Sequence, residues 1–313
     1  MPLFSINEAK KLTAFEQKNF STEKELQTLI ETNLQTVFGC QLVATEFSTG
    51  AQHAGRIDTL ALSEDNNPVI IEYKKVEASD LINQSLFYLA WLNDHRGDFE
   101  IAAQKALGTK IEVDWSSIRV ICIAPNYRKY DLHAVQMMGA NIELWAYRLY
   151  KNNALYLEEI LKKSYAGTAA SSSPGTKNPI MVAAGKKAAV TKANSNWSFD
   201  PHITNKSTAI KDIALAVQEY MMGLDPSMEE APKKYYVAYK ISKNIVCMEV
   251  QKKKVIIYLR LNPKEHPGPK GLSRDVTNIG HFGTGDLEIT LKSLGDLEAA
   301  KASIVSAYQH IGA

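Results

Sequence analysis

The stretch from Ser164 to Trp197 constrains the fold of this chain more than any other feature. It contains Ala169-Ala170-Ser171-Ser172-Ser173-Pro174-Gly175 and Ala183-Ala184-Gly185-Lys186-Lys187-Ala188-Ala189. Small residues, serine, glycine and lysine cannot bury enough apolar surface to offset the entropy of ordering them. No single core can run through such a tract. The 313 residues therefore divide into a first domain at 1–163, a flexible linker at 164–204 and a second domain at 205–313, and either half is long enough to bury its own core.

The first domain reads as mixed α/β. Leu26, Leu29, Ile30, Leu34 and Val37 recur at helical spacing, which predicts a helix over Thr22–Phe38 with Ser21 or Thr22 as its N-cap. Arg56–Leu62 and Val69–Lys75 read as strands joined by the polar turn Glu64-Asp65-Asn66-Asn67, a hairpin signal. Helices are expected at Ala78–Asn93, Asp131–Gly139 and Leu155–Lys163, and strands at Ile118–Ala124 and Ile142–Tyr150. The second domain reads as α+β. A helix at Ser207–Met222 precedes an antiparallel meander of Tyr235–Ser242, Ile245–Gln251 and Lys254–Leu261, and a short strand at Asp286–Leu291 precedes a closing helix at Leu294–Ile311.

Charge interrupts the two apolar strands of the first domain at Asp58, Glu72 and Lys74. Residues two apart on a strand share a face, so Glu72 and Lys74 lie on one side about 7 Å apart. The hairpin can bring Asp58 close to them, although the turn length leaves the register open. Two carboxylates can hold Mg²⁺ or Mn²⁺, hard cations that prefer oxygen ligands. Such a cation lowers the pKa of a bound water and neutralises phosphate charge. A neighbouring lysine can position or deprotonate that water.

Several motifs occur together and in order: Glu23-Lys24-Glu25-Leu26, Gly55-Arg56-Ile57-Asp58, Glu72-Tyr73-Lys74 and Gln84-Ser85-Leu86-Phe87-Tyr88. Their combination resembles the PD-(D/E)XK, restriction-endonuclease-like superfamily, in particular its mismatch-cleaving NucS-type and Holliday-junction-resolvase-like members. The resemblance implies a mixed central sheet flanked by helices and a divalent-metal-dependent nuclease. DNA is the expected substrate, in repair or in defence against foreign DNA. It implies Asp58 and Glu72 as metal ligands, and Asp58, Glu72, Lys74, Glu23 and Gln84 as the catalytic set, with Glu25 as the fallback for Glu23. Tyr88 would approach the nucleic acid. Arg56, His53 and Lys75 stand beside the expected site, either as phosphate contacts or as ordinary loop and strand-end residues. The alternative on the same fold is a catalytically silent module that binds nucleic acid or protein.

The net charge is +2, but residues 1–163 carry 17 Lys and Arg against 21 Asp and Glu, and residues 164–313 carry 19 against 13. An acidic catalytic half joined to a basic, anion-binding half is one reading, and drift in surface charge is the other. The second domain resembles an uncharacterised α+β domain found behind such nuclease domains, through Tyr236–Lys240, Tyr258–Leu261 and Gly280–Asp286. Lys233, Lys234, Lys252, Lys253, Lys254 and Arg260 with Tyr235, Tyr236 and Tyr258 form either a nucleic-acid surface or ordinary turn and strand residues. Cys40, Cys122 and Cys247 are odd in number and lack CxxC spacing, which fits a reducing cytoplasm rather than a disulfide framework. No apolar run spans a membrane. Many members of the superfamily pair two sites to cut two strands, so the resemblance also implies a homodimer.

Overall fold

The computed structural model describes residues 3–50, 55–76, 80–138, 141–160 and 197–311. The chain forms two compact units, 1–195 and 196–313. Most of the expected linker and His53 lie outside the described residues.

The first unit opens with a small ribbon, β1 (Phe4–Ile6) and β2 (Leu12–Ala14), followed by β3 (Gln17–Lys18). Helix α1 (Glu23–Thr32) starts at Thr22, whose hydroxyl accepts from Glu25 N at 3.0 Å. The Glu25 carboxylate reaches back to Ser21 N at 2.7 Å, so this glutamate is spent in closing the helix start. The expected single helix is two. Asn33 turns its side-chain amide onto Leu29 O, and a second helix, α2 (Leu34–Phe38), follows. The local bond offered by an asparagine side chain competes with helix continuation.

The main sheet holds β4 (Cys40–Ser48), β5 (Arg56–Ser63), β6 (Pro68–Tyr73), β7 (Arg119–Ala124), β8 (Ile142–Tyr150) and β3, with β9 (Leu155–Glu159) also on β8. Strands β4, β5 and β6 pair antiparallel, and β6, β7 and β8 pair parallel. The parallel steps need crossovers. Helices α3 (Leu81–Asp94) and α4 (Arg96–Leu107) lie between β6 and β7, and α5 (Lys129–Met138) between β7 and β8.

One face of the sheet packs Leu60, Leu62, Ile70, Val120 and Leu144 with Leu86, Leu89 and Phe99. The other packs Val69, Ile71, Tyr73, Ile121 and Ile123 with Leu26, Ile30 and Phe38. Covered on both faces, β6 and β7 are buried throughout and read as continuous apolar runs. Across β7 and β8, Arg119 and Glu143 form a buried two-pronged ion pair at 2.6 and 2.9 Å. The helix expected over Leu155–Lys163 is a strand where it is described, because residues 155–159 pair antiparallel with Leu149–Trp145.

The second unit is an antiparallel six-stranded sheet in the order β10 (Glu229–Pro232), β11 (Val237–Lys240), β12 (Asn244–Val250), β13 (Val255–Leu259), β15 (Leu287–Leu291) and β14 (Ser273–Asp275). Helices α7 (Thr208–Leu224) and α8 (Leu294–His310) cover one face through Ile210, Val217, Leu297 and Ile304. A short helix, α6 (Asp200–Ile203), precedes them, and Phe199 is buried in the same core. This short helix falls within residues 164–204 of the expected linker, and Phe199 anchors its start in the core. The Gly280–Asp286 run closes against the opposite face. Gly285 has φ +131° and lies so near Leu259 that an added Cβ would stand 2.7 Å from its carbonyl oxygen, so this turn requires glycine.

Candidate active site of the first unit

The hairpin register places Thr59 opposite Ile71, which puts Asp58 opposite Glu72. Backbone pairing of β5 with β6 stops at that point, and the two carboxylates take over the ladder. Tyr73 N donates to Asp58 Oδ2 at 3.1 Å, and Asp58 N donates to Glu72 Oε1 at 3.1 Å. Strand β6 meanwhile stays with β7, since Lys74 N donates to Ile123 O at 2.8 Å. The two acids thus fill a wedge where β5 and β6 part.

Burial and mutual repulsion dominate the electrostatics of this wedge. Glu72 is fully buried, and its Oε2 has no hydrogen-bond partner. Desolvation first, and the Asp58 charge second, push the Glu72 carboxyl up to about 9. Asp58 is also raised, chiefly by desolvation, against the opposing pull of the Tyr73 N–H and of Lys74. A buried, unpartnered carboxylate oxygen beside a second acid is the donor set that a hard divalent cation would relieve. The residues present fit such an ion, which Asp58 and Glu72 would hold with water completing its shell. Among the described residues no group of three or more His, Cys, Asp or Glu is arranged to hold a metal.

Lys74 and Glu23 meet at the mouth of the wedge, with Lys74 Nζ 3.6 Å from Glu23 Oε2. The other Glu23 oxygen accepts from Lys75 N at 3.3 Å. Of the two candidate glutamates at the start of α1 it is therefore Glu23, not Glu25, that lies at Lys74. Lys75 turns its ammonium to Ser21 O at 2.8 Å. Gln84 and Tyr88 engage each other and the backbone of Arg56 at the start of β5. Gln84 Nε2 donates to the Tyr88 hydroxyl at 3.1 Å, which in turn accepts from Arg56 N at 3.1 Å and donates to Arg56 O at 2.8 Å. Tyr88 is buried. It fits there because residue 55 is glycine, where a Cβ would come within 2.9 Å of its ring.

Two side chains escaped the sequence reading. Gln27, on the buried face of α1, donates to Asp58 O at 2.7 Å and so fixes the backbone beneath the wedge. Glu46, on edge strand β4, stands opposite Asp58, between the pairs Thr45–Thr59 and Phe47–Ile57. Its charge raises the pKa of both Asp58 and Glu72. An open cleft of about 610 Å³ nearby, lined by Phe47, Ser48, Trp91, His95, Ile101 and Lys105 among others, includes none of the wedge residues.

The basic surface expected in the second unit is not one patch. Lys233 and Tyr258 are buried, and Tyr258 stacks on His281 with ring centroids 4.1 Å apart. Lys252–Lys254 precede β13 whereas Arg260 follows it, so they lie at opposite ends of that strand. Exposed Tyr235 stacks on Phe282 at 4.3 Å, with Lys234 over its ring. Four lysines of the positive second half (Lys177, Lys186, Lys187 and Lys192) belong to the tract before residue 197, leaving 15 Lys and Arg against 13 Asp and Glu beyond it.

The chain belongs to a family that includes an uncharacterized protein of Haemophilus influenzae, 30% identical over 291 residues that cover 92% of this chain and 93% of that one. Residues 199–311 match the family model DUF5655, a domain of unknown function. Among solved structures, an EndoMS–dsDNA2 complex matches 43% of this chain at 18% identity and a TM-score of 0.30. A repair endonuclease from Pyrococcus abyssi matches 42% at 18% identity and a TM-score of 0.24. The chain spans about half the length of each of those two structures. Among the described residues, no helix is long and apolar enough to cross a membrane.

Proposed function

We propose that the first unit is a nuclease that hydrolyses phosphodiester bonds, with DNA as its substrate and Mg²⁺ or Mn²⁺ as its cofactor. One observation carries this reading: half-buried Asp58 and fully buried Glu72 converge in a wedge with one Glu72 oxygen unpartnered, and Lys74 follows two residues later. An acid pair with this desolvation cost adds nothing to stability without a cation, so a ligand-binding role accounts for it better than a structural one. The mixed sheet with its crossover helices and the Glu-x-Lys spacing support the reading of a restriction-endonuclease-like core.

In this reading Asp58 and Glu72 would hold the cation, which would supply an activated water and neutralise phosphate charge. Lys74 would hold or move a proton at its Nζ beside the reacting phosphate, and Glu23 fixes the direction of the Lys74 ammonium. Gln84 and Tyr88 hold the backbone at Arg56, and Arg56 faces the substrate phosphate.

The test is incubation of the purified chain with single-stranded, duplex, branched and mismatched DNA and with RNA, with Mg²⁺, Mn²⁺ or EDTA, beside Asp58→Ala. Metal-dependent cutting that falls at least ~10²-fold in a folded Asp58→Ala protein supports the reading. Equal cutting by both proteins overturns it. Binding without cutting by wild type moves the function to a silent nucleic-acid-binding module.

A further inference from the structure

Glu46 sits where its backbone is least at ease. It lies on β4 with φ +54°, a left-handed conformation that glycine or asparagine adopts at lower cost. The strand loses its regular register between Leu42 and Ala44, just upstream. A strained non-glycine residue beside a candidate site points to a role for its side chain. That side chain bridges two cations. Glu46 Oε2 lies 2.5 Å from Arg56 Nε, and Glu46 Oε1 lies 3.3 Å from Lys24 Nζ.

Arg56 is held at both ends. Its backbone N–H and carbonyl are clamped by the buried Tyr88 hydroxyl, and its guanidinium is paired through Nε alone. Among the described residues its two Nη groups meet no partner, and the side chain is 67% exposed. This contact is an ion pair without hydrogen-bond geometry, and it leaves the Nη edge of the guanidinium to receive an anion in two-pronged fashion. Arg56 is two residues from Asp58, so an anion on that edge lies next to the carboxylate wedge.

We propose that Glu46 is a positioning residue that holds the Arg56 guanidinium as a receptor for a backbone phosphate of the nucleic acid, next to the scissile position. The proposal rests on the nuclease reading for its ligand, but its sign is its own. Simple electrostatics says that removing a carboxylate from a phosphate site tightens binding. Positioning says that removing Glu46 weakens it, and only while Arg56 is present.

The experiment measures anisotropy of a short fluorescein-labelled oligonucleotide, single-stranded and duplex, in EDTA with the full-length chain. Glu46→Gly and Glu46→Asn both suit a positive φ and keep the fold, so each is tested alone and with Arg56→Ala, and thermal melting is recorded alongside. The expected result is binding about five- to tenfold weaker in the single variants, the scale of one charge-assisted contact. Glu46→Gly should melt at or above wild type, and neither substitution should weaken binding further once Arg56 is alanine. Tighter binding by the single variants, or the same weakening without Arg56, overturns the positioning role while leaving the nuclease reading intact. Failure of wild type to bind any oligonucleotide at low salt overturns both.

Discussion

Replacing Glu72 by glutamine should stabilise the metal-free protein. Glutamine keeps the carbonyl oxygen that accepts from Asp58 N and puts a neutral amide in place of the unpartnered Oε2. The Glu72 carboxyl moves from 4.5 to about 9 on folding without metal. Between those values the folded state holds a proton that the unfolded state has released. Stability from this group is therefore full below pH 4.5 and is lost as pH rises toward 9. At 1.36 kcal/mol per pH unit, the loss from pH 4.5 to pH 7 is about 3 kcal/mol, and relaxation around the wedge lowers it. The glutamine variant should thus gain ~1–3 kcal/mol at pH 7. Urea unfolding in EDTA measures this, followed by tryptophan fluorescence, because Trp91, Trp115 and Trp145 all lie in the first unit. The wild-type midpoint should fall from pH 5 to pH 8, and the variant's should fall less. Mg²⁺ at tenfold excess over its Kd should stabilise wild type by about 1.4 kcal/mol and leave the variant unmoved. A variant less stable than wild type in EDTA, or one with the same pH slope, refutes the reasoning.

Three further outcomes follow from the packing. Glu143→Ala leaves the buried Arg119 without its two-pronged partner and should cost ~3–5 kcal/mol, read by urea unfolding of the first unit. Gly285→Ala forces a Cβ against the Leu259 carbonyl at a φ of +131° and should cost at least ~2 kcal/mol, read as an earlier melt of the second unit. Ile304→Ala empties a fully buried position on α8 and should cost ~2–5 kcal/mol in the same assay.

The wedge was legible because charge interrupts strands that are otherwise apolar: Asp58 and Glu72 stand out within Arg56–Leu62 and Val69–Lys75. Their pairing was not, since the register depends on a turn whose geometry the sequence leaves open. Glu46 gave no signal. Strand β4 is an edge strand with exposed Gln41, Leu42, Thr45 and Ser48, so its acid resembles any solvated residue. The helix expected at Leu155 failed because five residues of Leu-Tyr-Leu-Glu-Glu are too few to separate a period of two from one of 3.6, and pairing with β8 decides the outcome. Helix α4 escaped because only Phe99 and Ala103 of its twelve residues are buried, too thin a stripe to mark a helix.

The most direct test of the nuclease reading compares wild type with Lys74→Ala, scoring Mn²⁺ binding by calorimetry and DNA cutting in the same preparations. Lys74 lies beside the carboxylates and is not one of them, so the variant should bind the cation and fail to cut by at least ~10²-fold. Undiminished cutting by Lys74→Ala, or wild type that neither binds Mn²⁺ nor cuts any DNA, contradicts the proposed chemistry.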